Sequence, residues 1–162
     1  MDGCGGRAYT KLLSSERPVP MASLSKNAVI HAPPDPVFAY VSDPSKFPEW
    51  LPSMVEVRNV LGAGAGQQYE WTYKMAGMLL RGQSTVVEYT PNQRVVLQSI
   101  GSIGSDWTFT VEPHEAGALL RIEVEYSVPV PVLGRLAERL ALSRDAREFA
   151  VGFDNLKEAL EG

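Results

Sequence analysis

From Leu24 to Val128 apolar side chains recur mostly at every second position, and beyond Pro131 they recur every third or fourth, so the chain reads as a set of strands followed by a helix. The first strand spans Leu24 to Ala32. Pro33-Pro34-Asp35-Pro36 stops it, because proline cannot donate to a ladder and suits the first turn of a helix. Val37, Phe38 and Val41 then recur at helical spacing. Asp43-Pro44 ends that segment ahead of a second short helix, Ser45 to Pro52, which carries Phe47, Trp50 and Leu51; the two form a hinge-like pair.

The alternation is clearest where Tyr69, Trp71, Tyr73 and Met75 interleave with Glu70, Thr72 and Lys74. It returns as Trp107, Phe109 and Val111, and again as Leu120, Ile122, Val124 and Tyr126. One sheet face is therefore expected to be apolar and aromatic and the other wet. Gly62 to Gly66, Ala76-Gly77, Pro91-Asn92, Gly101 to Ser105 and His114 to Gly117 punctuate the strands as hairpin loops, giving a meander. Leu133, Leu136, Ala137, Leu140, Phe149, Phe153, Leu156 and Leu160 then mark one face of a long amphipathic helix. With no partner helix predicted, that face has only the concave face of the sheet to cover it, which makes the class α+β. Residues 1–22 show neither period and end near Pro-Val-Pro, so they read as a disordered extension before a single domain at 23–162.

Composition narrows the function. With 44% apolar and 21% charged residues in 162, the chain suits one soluble globular domain, and a formal charge of −4 with scattered basic residues argues against nucleic acid as a partner. Cys4 is the only cysteine, which excludes an internal disulfide and any paired-thiol redox or zinc motif and points to a reducing, cytoplasmic setting. No stretch has the apolar length of a membrane span or of a signal peptide.

Groups able to do chemistry are few. His31 and His114 have no Cys, Asp or Glu at a ligand spacing, so no metal is expected. His114 reads as a loop residue and His31 as a structural histidine at a strand end. Glu70, Arg81, Glu88, Arg94 and Asp106 reach a cavity only if a bulge shifts their register; otherwise they belong to the wet face. There is no GxSxG elbow, Gly62 to Gly66 lacks the Lys-Ser/Thr of a phosphate loop, and the charges from Arg135 to Glu148 read as the solvated face of the last helix. No catalytic residue and no cofactor are assigned. The aromatic set of Trp50, Tyr69, Trp71, Tyr73, Trp107, Phe109 and Tyr126 offers apolar bodies with polar tips, suited to a flat or greasy ligand, although any single ring fits plain core packing as well.

Ile30-His31-Ala32-Pro33-Pro34-Asp35-Pro36-Val37-Phe38, the run Asp43 to Pro52, Val86 to Pro91, Trp107-Thr108-Phe109 and Leu156 to Glu161 together resemble the START-like superfamily, in particular its polyketide cyclase/dehydrase and lipid-transport family, across roughly residues 24–160. The resemblance implies a helix-grip fold, a curved antiparallel sheet around a long C-terminal helix, with an internal cavity between them. Phe149 and Phe153 then join the candidate ligand-binding residues. Reversible binding of a lipid, polyketide, quinone or aromatic compound is the expected function, with the loops 76–79 and 101–105 as gates. A polyketide cyclase or aromatase is the alternative, to be favoured by a cavity-facing His31, Glu88 or Arg81. A third reading is an accessory or chaperone role with a protein partner, since Phe47 to Pro52 is similar to coenzyme Q-binding relatives and the scaffold to carbon monoxide dehydrogenase accessory proteins.

Overall fold

A computed structural model of the chain describes residues 21–75, 77–127 and 130–162, with only the backbone described for Met21 and for 130–145. The expectations for residues 1–20, Cys4 among them, and those for Leu133, Leu136, Ala137 and Leu140 lie outside the described residues or side chains. Seven strands form one antiparallel sheet: β1 (Met21–Ile30), β2 (Met54–Leu61), β3 (Gln68–Met75), β4 (Met78–Thr90), β5 (Arg94–Gly101), β6 (Ser105–His114) and β7 (Gly117–Ser127). Their order, β1-β7-β6-β5-β4-β3-β2, is the expected meander with the first strand returned onto the last. The helices are α1 (Pro34–Val41), α2 (Phe47–Trp50) and α3 (Val130–Glu161), with a 3-10 turn at Pro44–Lys46 before α2. This is the α+β helix-grip architecture.

Local differences from the sequence reading have local causes. β1 begins at Met21, three residues early, because Met21, Ala22 and Ser23 pair with Ser127, Tyr126 and Glu125. It ends at Ile30 rather than Ala32, where the Ala32 N–H turns back to the Ile30 carbonyl at 2.9 Å. The second helix is a 3-10 turn plus one α-turn; Asp43 caps it by accepting from the Ser45 N–H and hydroxyl at 3.0 and 2.7 Å. Tyr40 ties α1 to α2 by donating to Glu49 Oε1 at 2.9 Å, and burial, then Glu49, raise its hydroxyl to about 12. On the outer face of β3 Thr72 is buried despite the alternation, between its ladder partners Glu56 on β2 and Arg81 on β4.

The core fills the concave face. Val95, Phe109, Val111, Leu120 and Ile122 from the strands are nearly or fully buried, and Val37, Phe38 and Val41 from α1 cover one end of it. The described side chains of α3 enter through Phe149, Phe153 and Leu156. That half of α3 is not alone: it packs on β1 and on α2, where a Cβ on Gly152 would stand only 3.3 Å from the Trp50 ring, and Asn155 Nδ2 donates to the Trp50 carbonyl at 3.2 Å. The absence of a partner helix is thus corrected in detail, because one turn of helix suffices when a glycine lets it approach.

Leu156 is fully buried, so Leu156→Ala removes apolar contact and leaves a cavity under the helix end. Chemical denaturation is expected to show a loss of about 2–5 kcal/mol. A loss far below that range would mean that α3 is not clamped to the sheet here.

Candidate functional site

Between the sheet and α3 lies a cavity of about 70 Å³. β3 supplies Tyr69, Trp71, Tyr73 and Met75 to its wall, and β6 supplies Ser105, Trp107 and Phe109. Ser84, Leu97, Ser99, Val124, Tyr126 and Leu24 come from the other strands, Phe47 from α2, Ile103 from the β5–β6 connection, and Glu148 and Phe149 from α3. The rings support one another: Phe109 lies 6.1 Å from Phe47 and 6.0 Å from Trp107, and Trp107 lies 6.2 Å from Phe149, all centroid to centroid. Such tilted contacts orient aromatic walls.

Seven of the nine candidate residues meet here: Tyr69, Trp71, Tyr73, Trp107, Phe109, Tyr126 and Phe149. Trp50 does not. Its ring is 1% exposed and wedged behind the wall against Phe47, Phe109 and the backbone of Gly152. Phe153 does not line this cavity either. One turn beyond Phe149, it turns toward β1, where Lys26 Nζ stands 5.8 Å from its ring centroid beside a surface groove.

Trp71 is placed by what its neighbours lack. Gly82 is its ladder partner on β4, and a Cβ there would collide with the Trp71 ring, so the indole lies across a strand without a side chain. Gly101, next in the same row, is also bare, with its backbone pressed against Arg81 and Gly82. The Trp71 Nε1–H is buried and has no acceptor among the described residues.

The sequence reading missed the polar lining. Ser84 and Ser99 are buried and joined Oγ to Oγ at 2.5 Å, and Ser105 accepts from Trp107 Nε1 at 3.2 Å. Each serine occupies the apolar phase of its strand, in step with Val86, Leu97 and Trp107 respectively, and that is the signal that could have found it. Glu148 corrects an expectation. Assigned to the solvated face of the helix, it is half-buried, accepts from the Tyr73 hydroxyl at 2.8 and 3.0 Å and from the Ser53 N–H at 3.1 Å, and so fastens α3 to β3. No sequence signal separated it from its charged neighbours.

The candidate acid-base residues stay away. Arg81, Glu88 and Asp106 are exposed; Glu88 pairs with Arg94 at 2.8 Å and Glu70 with Arg58 at 3.2 Å. The register shift at Val86/Glu88 leaves Glu88 outside. His31 is exposed, its backbone N–H donating to Glu161 at 2.8 Å, and His114 Nδ1 accepts from the Ala116 N–H inside its turn. Gly62 to Gly66 joins β2 to β3 with no helix after it. The 101–105 loop is fixed on both sides, by Ser102 N–H to the Arg81 carbonyl at 2.8 Å and Ser127 N–H to the Gly104 carbonyl at 2.9 Å, and it holds Ile103 in the cavity wall.

Burial pushes the Tyr69 hydroxyl above its ordinary value of 10.0, with a hydrogen bond to Ser84 opposing the rise. The folded chain therefore keeps Tyr69 neutral at a pH where the unfolded chain ionises it. Stability from this group is complete below about pH 10 and falls as pH rises above it toward the folded value. Tyr69→Phe removes the effect together with one hydrogen bond, so it is expected to cost about 1 kcal/mol near neutrality. Denaturation curves from about pH 8 to about pH 11 should show the two proteins converging; a constant difference would mean that Tyr69 is not shielded from water.

Comparison with known proteins accords with this geometry. The crystal structure of TTHA0849 from Thermus thermophilus superposes with a TM-score of 0.72 at 19% identity, covering 87% of this chain and 97% of that one. ZhuI aromatase/cyclase from Streptomyces sp. R1128 gives 0.68 at 13% identity, covering 88% and 94%. The di-domain ARO/CYC StfQ of the steffimycin biosynthetic pathway gives 0.70 at 18% identity, covering 91% of this chain and 53% of that one. At such identities the likeness is one of fold. No curated protein matches the sequence. The profile of the family described as polyketide cyclase / dehydrase and lipid transport matches residues 21–161, and the chain belongs to that family.

Proposed function

We propose that the chain binds a hydrophobic small molecule, such as a lipid, polyketide, quinone or aromatic compound, in the cavity between sheet and α3. The observation that carries this reading is the wall itself: its described residues are rings and aliphatic side chains, broken by hydroxyls at a few fixed points and by Glu148. That composition recognises an apolar body and orients it by polar tips. Burying ligand surface yields about 25 cal/mol per Å². At about 70 Å³ the cavity holds only a small fragment without adjustment, against roughly 300–1,000 Å³ for pockets that take drug-sized ligands. A larger ligand therefore enters by turning a wall residue aside. Trp107, half-buried and not tied to Glu148, is the aromatic residue best placed to turn.

A cyclase-type reaction is the second reading, favoured by the Tyr73–Glu148 pair, which brings a carboxylate and a phenol together in the wall. Binding ranks first because both Glu148 oxygens already accept hydrogen bonds that hold α3 in place, while His31, Glu88 and Arg81 do not line the cavity.

Native mass spectrometry of protein purified without detergent is expected to show a co-purifying small molecule, or, if the protein comes out empty, a blue-shifted emission on titration with the neutral apolar dye Nile red. Protein that is empty and gives no Nile red response would overturn the reading.

A further inference from the structure

The polar side chains in the described wall of the cavity answer one another. Ser84 and Ser99 are joined Oγ to Oγ, the Tyr69 hydroxyl bonds Ser84, and Tyr73 donates to Glu148. Trp107 Nε1–H donates to Ser105, and Tyr126 has a partner as well. One member of that wall stands apart. The Trp71 Nε1–H is buried and meets no acceptor among the described residues. Leaving an N–H dry and unpaired is costly, and buried donors in folded proteins as a rule have a partner.

The chain's three tryptophans separate a structural role from a binding one. Trp107 has its acceptor in Ser105. Trp50 has none, but its ring is wedged behind the wall, out of a ligand's reach. Trp71 carries its unpaired N–H in the wall itself. The indole lies flush on the Gly82 backbone, where a Cβ would stand 2.8 Å from Cε2, the ring atom next to Nε1. Gly82 has no positive φ that calls for glycine, so its bareness serves the close approach of this ring and of the Ile100 carbonyl. Trp71 is 6% exposed, which shields its N–H from bulk water. The group left to meet it is whatever occupies the cavity.

Resting on the binding reading above and deepening it, we infer that Trp71 is the specificity-determining residue of the cavity, its indole N–H donating to a carbonyl oxygen on an otherwise apolar ligand. A hydrocarbon of the same shape gains the same burial and leaves the N–H unpaired. A carbonyl suits the place better than a hydroxyl because it accepts without bringing a proton of its own that needs a partner.

Two probes of one shape test this: 2-acetonaphthone and 2-isopropenylnaphthalene, in which a methylene replaces the carbonyl oxygen. In calorimetric titration the ketone is expected to bind about tenfold tighter than the alkene, the equivalent of one net hydrogen bond. Proton–nitrogen correlation spectra, with the indole signals assigned through Trp71→Phe and Trp107→Phe, should place the Trp71 signal downfield in the ketone complex relative to the alkene complex. The Trp50 signal should not distinguish the two. In Trp71→Phe, which keeps an aromatic ring and removes the donor, the ratio of ketone to alkene affinity should fall toward one; if that variant does not fold, the wild-type titrations and spectra decide. If the two probes bind the wild type equally, if the Trp71 signal is the same in both complexes, or if the preference survives in folded Trp71→Phe, the inference fails while the cavity reading stands. If neither probe binds, the cavity reading fails and carries the inference with it.

Discussion

The width of the sheet governs the rest of this structure. Seven strands spaced about 4.8 Å apart present a face nearly 30 Å across before curvature, whereas one α-helix with its side chains is about 10 Å wide. α3 is the long helix available to the concave face, and α1 and α2 are too short to cover the remainder. Apolar side chains must then close over the gap from the floor, and where they fail to meet, a cavity is left. Its location between β3, β6 and the Glu148–Phe149 turn of α3 follows from that mismatch.

A cavity formed in this way needs its walls held from outside. Gly152 lets α3 sit directly on Trp50, Asn155 takes the Trp50 carbonyl, and Glu148 gathers the Tyr73 hydroxyl and the Ser53 N–H. These contacts fall within about two turns of one helix. They fasten α3 to α2 and to β3; Gly152, Trp50 and Asn155 do so from behind the wall, whereas Glu148 and Tyr73 both hold the cavity and line it. Trp50 illustrates the division: it is a large aromatic in the right region whose work is to support Phe47 and Phe109 from behind.

The elements were legible in the sequence because each depends on local chemistry. Alternation in β3, β6 and β7, the proline stop after Ala32 and the break at Asp43-Pro44 need only neighbours a few residues away, and all of them fall close to their expected places. What depends on distant pairing was not legible. Trp50 and Phe153 have the composition of lining residues, and only the approach of Gly152 and the turn of the helix toward β1 remove them from the wall. Glu148 looked like any other charge in its run, since its partners Tyr73 and Ser53 are 75 and 95 residues away.

The serines stand between these cases, and they show how register turns sequence into chemistry. Each one, taken alone, is a small polar residue in a strand, which costs little and signals little. Their shared apolar phase puts them on the inner face, and that much is written locally. Only the lengths of the hairpin connections and the single register shift in the β4–β5 pair bring Ser84, Ser99 and Ser105 onto one line with Tyr69 and Tyr126. A shift of one residue in any of these ladders would send the serine out to solvent and turn its neighbour inward. The apolar partners in the flanking row, Val86, Leu97, Trp107 and Val124, oppose such a slip because they would have to leave the core with it. Hydrophobic burial thus fixes the position of the hydroxyls, and the polar row is specified by the greasy row beside it.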